Sequence, residues 1–282
     1  MKRMKTFYFV IFMLLGLQGV MMGAEKMSVL RNDVYKNVGL SVGYYYYGEV
    51  DRRGDFLMRI DTASFGVFGN LGKVYQNGLK LDALAEINAS NGVYTGAVLD
   101  TSNANRDGQS LRSFIGNVFI KGNARAGYDV LKSVSRASLY LQSGFGYYFN
   151  WTNFFSIPRL QGYAYIPLEV EGQIALSKRL SFDYTLGYNL FLFGNHYTNG
   201  WGWGFSGALD TTQTKGFGGI AKIGFSFFNK VGEKNSFGVM YEFWSLEGSN
   251  PTMLTDYTGK NVALYEPKNT SHIVRFYYSW DF

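Results

Sequence analysis

The sequence predicts an all-β chain, folded as a transmembrane antiparallel up-and-down β-barrel of about ten strands, within a range of about 8–12. Three observations predict it: the composition, a recurring period of two in hydrophobicity, and an alternation of short and long connections. Of the 282 residues, 17% are charged and 18% aromatic, with 35 Gly and 4 Pro. A disordered chain would be more charged and poorer in aromatics. Helices would suffer from so much glycine in their interiors. The 22 Tyr and 24 Phe suit the pleated faces of strands.

The first residues read as an address. Lys2, Arg3 and Lys5 precede the apolar run 7–17, and Met22-Gly23-Ala24 offers a small residue for cleavage. Residues 1–24 are therefore expected to be a signal peptide and residues 25–282 the barrel domain. Those three cations account for half of the net charge of +6, so the basic balance gives no reason to expect a nucleic-acid partner. Cysteine is absent, which removes disulfides, thiolate metal sites and thiol nucleophiles. Mean hydropathy is −0.10, and beyond the signal no apolar run of about 18 residues remains to form a spanning helix. A chain that crosses lipid without helices must close its strands into a barrel, because lipid satisfies no backbone hydrogen bond.

Ten segments carry the strand signal: 38–47, 56–68, 79–88, 111–121, 137–149, 162–172, 180–193, 217–228, 237–244 and 272–282. In the seventh, Leu180, Phe182, Tyr184, Leu186, Tyr188, Leu190 and Leu192 share one face, opposite Ser181, Asp183, Thr185, Gly187 and Asn189. That period places an apolar face against lipid and a polar face in the lumen. The second and fourth segments alternate poorly, so a bulge or shifted register is expected there. The connections 48–55, 89–110, 150–161, 194–216 and 245–271 would lie on one side, and the three longest all fall in that set. Short periplasmic turns and long external loops sort connections in this way. Clusters at Tyr44–Tyr47, Tyr147-Tyr148-Phe149-Asn150-Trp151, Trp201-Gly202-Trp203 and Tyr277-Tyr278-Ser279-Trp280 sit near strand ends, as interfacial aromatic girdles do.

Parity assigns Arg59, Asp61, Lys80, Asp82, Glu86, Glu169, Glu171, Asp183, Lys222, Glu242, Arg275 and Asp281 to the lumen. Carboxylates outnumber bases in that set. An interior of about ten strands is narrow and fills with side chains, so these charges are expected to pair as a plug. A small cation-preferring conduit is the alternative.

Catalytic signals are weak. The two histidines, His196 and His272, fall near the rim of the longer connections. Asp210 follows the first, and Thr270 and Ser271 precede the second. Catalysis would need an oriented partner and a nucleophile within reach, and His272 has lipid-facing parity. Gly202-Trp203-Gly204-Phe205-Ser206-Gly207 matches the dinucleotide-binding pattern but sits in a loop without the required βαβ unit. Asn88-Ala89-Ser90, Asn150-Trp151-Thr152 and Asn269-Thr270-Ser271 are acceptor-like triplets. No motif calls for a metal or a cofactor.

The final segment, His272-Ile273-Val274-Arg275-Phe276-Tyr277-Tyr278-Ser279-Trp280-Asp281-Phe282, resembles the C-terminal signal of bacterial outer-membrane β-barrel proteins. Val274, Phe276, Tyr278, Trp280 and Phe282 supply its alternation and terminal aromatic. The resemblance implies a Gram-negative outer-membrane location, recognition of this strand by the insertion machinery, and pairing with the first strand. Outer-membrane lipid and lipopolysaccharide are the expected surroundings. The expected role is a non-enzymatic surface or structural barrel with a filled lumen, ahead of a narrow channel or a rim-based hydrolase.

Overall fold

The computed structural model describes residues 26–98, 105, 108–154 and 157–282. The expected signal peptide lies outside the described residues. Thirteen strands follow in order: β1 (Asp33–Val50), β2 (Phe56–Val74), β3 (Leu79–Ala97), β4 (Ser110–Asp129), β5 (Ala137–Phe154), β6 (Ile157–Ala175), β7 (Leu180–Asn199), β8 (Ala208–Gln213), β9 (Gly216–Phe228), β10 (Lys234–Leu246), β11 (Thr252–Thr255), β12 (Asn261–Leu264) and β13 (Lys268–Asp281). A short 3-10 turn spans Gly200–Trp203. Among the described residues no helix is long and apolar enough to cross a membrane.

The strands close into a ten-strand antiparallel barrel. β1 pairs with β13 from Asn37↔Asp281 to Val50↔Lys268, and each barrel strand pairs with its chain neighbour. β8 and β9 share the same edge of β7, so they act as one strand interrupted at 214–215. Closure gives the strands partners on both sides through the middle of the wall, as a chain in lipid requires.

The start of β1, the end of β13 and the turns 75–78, 130–136, 176–179 and 229–233 lie at one end, the terminus end. The connections 51–55, 200–207 and 247–267, with the facing ends of β3 and β4, lie at the other, the loop end. The tight hairpins share one device. At 51–55, 75–79, 229–233 and 256–260, the fourth residue is a glycine with φ between 83° and 94°. Only glycine takes that conformation cheaply, and it supplies the bulge of a three-residue hairpin loop. In three of them an Asx side chain accepts amides two and four residues on, as Asp51 does from Arg53 (2.7 Å) and Asp55 (2.9 Å).

β1 to β7 run for 18–20 residues, about twice the 9–11 that a tilted strand needs to cross a bilayer. Longer strands shorten the connections that the sequence suggests. The expected loop 150–161 is the largest correction, because β5 and β6 stay paired through Phe154↔Ile157. The expected irregularity in the second segment appears as an extra residue, Leu57, opposite Glu49 and Val50. β4 pairs without a break, while an unexpected shift falls at Ala164/Tyr165. Leu40, Val42, Phe65, Val67, Ile87, Ile120, Leu168, Leu186 and Phe276 are exposed on the outer wall, forming the apolar belt that a lipid-facing surface requires.

Candidate functional site: the lumen

Every second residue of a barrel strand points inward, and at mid-height those residues are aromatic. Tyr45, Phe119, Tyr148, Tyr163, Tyr165 and Trp244 are buried together. Tyr45 meets Phe119 with ring centroids 4.5 Å apart, Tyr148 meets Tyr163 at 5.4 Å, and Trp244 meets Tyr165 at 5.1 Å. These edge and offset contacts suit the ring quadrupoles. They join β1, β4, β5, β6 and β10 across the lumen as a septum.

Charged groups fill the lumen on either side. Toward the loop end, Arg159 of β6 pairs with Glu49 of β1, and with Glu266 just before β13 at 2.5 Å. Its Nε donates to His196 Nε2 at 2.9 Å, and His196 Nδ1 lies 3.0 Å from Glu266. Accepting at Nε2 assigns the ring proton to Nδ1 and makes the imidazole neutral. Gln161 donates to Tyr47 Oη and to Glu266, both at 2.9 Å.

Toward the terminus end, Lys121 pairs with Glu242 at 2.5 Å, and Arg275 pairs with Glu86. Lys80 binds Glu171 at 2.7 Å and Asp82 at 3.0 Å. Arg125 binds Asp82 at 2.8 Å and Glu169 at 2.7 Å. Gln142 donates to Glu169 at 2.8 Å and Glu171 at 3.1 Å. A short segment before β1 crosses this end. Lys26 pairs with Asp129 at 2.9 Å, Val29 and Leu30 bury against Ala175, and Arg31 pairs with Glu171.

Lys80, Asp82, Glu86, Glu169, Glu171, Asp183, Lys222, Glu242, Arg275 and Asp281 all lie on the lumen side. Arg59 and Asp61 do not. Arg59 is 53% exposed on the outer wall, where it pairs with Asp61 at 3.0 Å. The parity of β2 is set lower down, where Phe65 and Val67 must face lipid. Near the loop end that same outer face meets water, while Met58 and Ile60 fill the lumen. Sequence reasoning missed Arg31, Glu49, Lys121, Arg125, Arg159, Lys234 and Glu266, and placed His196 at the rim, whereas it is buried in the lumen. Continuing the parity of Phe119 to Lys121 and Arg125, or of Tyr45 to Glu49, would have found three of them. The missed cations also correct the expected excess of carboxylates: bases and acids are nearly balanced inside.

His272 lies on the outer wall, with Nδ1 2.7 Å from the Tyr241 hydroxyl. The dinucleotide-like glycines fall in the 3-10 turn and the loop after it. Among the described residues no cluster of three or more His, Asp or Glu could hold a metal.

No family model and no curated protein matches the sequence. Among solved structures, the outer-membrane protease OmpT from Escherichia coli matches with TM-score 0.60 at 9% identity, covering 93% of this chain and 99% of that one. The chain has the fold of a Gram-negative outer-membrane β-barrel. The translocator domain of autotransporter NalP from Neisseria meningitidis matches with TM-score 0.45 at 10% identity, over 91% of each chain. OprG from Pseudomonas aeruginosa matches with TM-score 0.37 at 7% identity, over 89% of this chain and 97% of that one. At such identities the likeness extends to the fold alone. Within this barrel, Val274, Phe276, Tyr278 and Trp280 face outward along β13, and Phe282 N–H donates to Lys36 O at 3.0 Å.

Proposed function

We propose that this chain is a non-conducting, non-enzymatic surface barrel of the Gram-negative outer membrane, presenting its loop end to the exterior. The observation that carries this reading is the septum around Trp244, which is 0% exposed, flanked by cross-barrel ion pairs. A water path needs a continuous polar lumen, and rings in van der Waals contact interrupt one. The surplus length of β1–β7 favours a collar above the bilayer, with the connections 200–207 and 247–267 at its edge. Loops on a rigid wall are where binding function concentrates. His196 Nε2 already accepts from Arg159, with Thr198 Oγ1 3.2 Å away, and His272 meets the Tyr241 hydroxyl on the outer wall, so neither is placed as a free general base over a pocket. The apolar belt suits outer-membrane lipid, including lipopolysaccharide.

Single-channel recording in planar bilayers tests the reading. The purified protein should give no steady conductance. Stable cation-selective steps would replace it with the narrow-channel reading. Assembly supplies a second test: Phe282→Asp should reduce the heat-modifiable barrel in the outer membrane, as recognition of β13 by the insertion machinery requires. Normal levels would remove that partner.

A further inference from the structure

Surface charge is distributed unevenly between the two ends of the barrel. At the loop end exposed cations and carboxylates interleave, as Arg59 does with Asp61 and Lys268 with Glu247. The terminus end is basic. On its outer wall Lys36 of β1 and Lys73 of β2 are exposed. Lys132 and Arg136 are exposed in the turn 130–136, Lys178 and Arg179 in 176–179, and Lys230 in 229–233. Among the described residues none of these cations has a carboxylate within 4.0 Å, and the exposed side-chain carboxylates at this end are Asp33 and Glu233. Glu233 already accepts from Asn229 Nδ2 at 2.9 Å, and Asp129 is taken by Lys26. The cations therefore outnumber the acids here, unlike those inside the lumen.

Each basic site has an exposed apolar neighbour. On the wall, Lys36 stands opposite Leu71 and Lys73 opposite Val34, and both apolar side chains are exposed. They continue the belt of Leu40 and Val67 down to the turns. Val130 and Val134 accompany the cations of the first turn, Leu176 those of the second, and Val231, at 78% exposure, that of the third. Lys73 Nζ lies 4.9 Å from the centroid of the Tyr75 ring, and Lys132 Nζ 5.2 Å from that of Tyr128. A turn in open water gains nothing from exposing valine. In the headgroup layer of a bilayer, rings and aliphatic stems lie at the acyl boundary while the charged heads reach the phosphates. The partner is also selected by the layout. The cations come from β1, β2 and three separate turns, so they ring the barrel. An acidic protein would cover one arc of that ring, whereas annular lipid touches all of it.

We propose that the terminus end is a docking surface for anionic phospholipid headgroups, of the phosphatidylglycerol type. The lysine and arginine heads donate to the lipid phosphates, and the valine, leucine and tyrosine side chains beside them rest at the acyl boundary. Each cation near an anionic leaflet adds a modest attraction, and a ring of them adds up to a preference for charged lipid. The inference rests on the barrel spanning lipid, and not on a closed lumen or on which end faces the exterior.

Electron paramagnetic resonance of spin-labelled lipids tests this on the full-length barrel in phosphatidylcholine vesicles. Lipid immobilised at the wall should favour phosphatidylglycerol over phosphatidylcholine by at least about threefold at low salt. The preference should vanish near 1 M salt, where the Debye length is about 3 Å. A terminus-end variant carrying Lys132→Gln, Lys178→Gln and Lys230→Gln should bring the two lipids close to equal. A loop-end variant carrying Arg52→Gln, Arg53→Gln and Lys260→Gln loses the same charge and should keep the preference. Heat-modifiable migration verifies that both variants are folded, and the salt titration needs no variant at all. Equal immobilisation of the two lipids by the wild type would overturn the proposal and leave the basic rim to an acidic soluble partner. A preference that survives 1 M salt, or one lost equally in both variants, would overturn it as well.

Discussion

The two halves of the lumen are built by the same alternation and end up as different media. In the loop half, Arg159, Glu49, Glu266 and His196 form a closed set packed over aromatic rings. In the terminus half, the charged groups surround a chamber of about 110 Å³, where Lys222, Lys234, Asp183 and Asp281 stand without an ion pair among the described residues. Large rings from opposing strands can meet and exclude water. Shorter polar side chains leave space, and that space lets charges remain partly solvated. The loop half is therefore a brace, and the terminus half is a wetter, charge-balanced chamber.

The comparison breaks most easily at Arg159. Arg159→Met strands two buried carboxylates, and losing one partner of a buried pair costs about 3–5 kcal/mol. The midpoint of denaturant unfolding in detergent, read by tryptophan fluorescence, should fall accordingly. An unchanged midpoint would remove the brace. Trp244→Ala opens a cavity in the septum, for which about 3 kcal/mol is expected. It should also turn a silent bilayer record into a leaky one, and continued silence would mean that the septum is not the barrier.

The paired variant Glu169→Gln with Glu171→Gln tests the wetter half. It removes carboxylates from Arg31, Lys80 and Arg125, yet adjacent water can partly compensate. A loss of about 2 kcal/mol is expected, less than at Arg159, and a larger loss would make the two halves alike. On the outer wall, Arg59→Ala should cost under about 1 kcal/mol, because its pair with Asp61 is exposed.

The smallest effect lies in the β11–β12 hairpin. The Asp256 carboxylate accepts from the Thr258 hydroxyl at 2.6 Å and from the Thr258 and Lys260 amides, each at 2.9 Å. The hydroxyl and then the amides hold its carboxyl below the ordinary range. A lowered folded-state value means that the contribution is present above about pH 4 and is lost as pH falls through the folded value. Amide exchange in this hairpin, corrected for intrinsic rates, should therefore quicken as the pH is lowered below about 4. Asp256→Asn should remove that pH dependence, and a persistent difference would assign it elsewhere.

Much of the wall was legible in the sequence, because alternation within one strand is a local property. Leu180 to Leu192 declares its lipid face, and β13 declares its terminal aromatic. Arg59 and Asp61 show the limit of that reading. A polar residue marks the lumen only where the outer face meets lipid, and strand length past the bilayer edge is not visible in hydropathy. The aromatic segments suggested girdles, whereas Tyr45 and Tyr148 turn inward as part of the septum. Their neighbours Tyr44 and Tyr147 are the exposed ones.

The sequence by itself determined the all-β class and the alternating faces. Each follows from interactions a few residues apart. The tertiary structure alone decided which charges meet, as Lys121 meets Glu242 and Arg159 meets Glu49 across the barrel. It also placed Arg31 over the terminus end and left Lys222 and Lys234 facing a chamber. Those outcomes depend on strand number and stagger, which bring residues far apart in sequence to the same height only after the barrel closes.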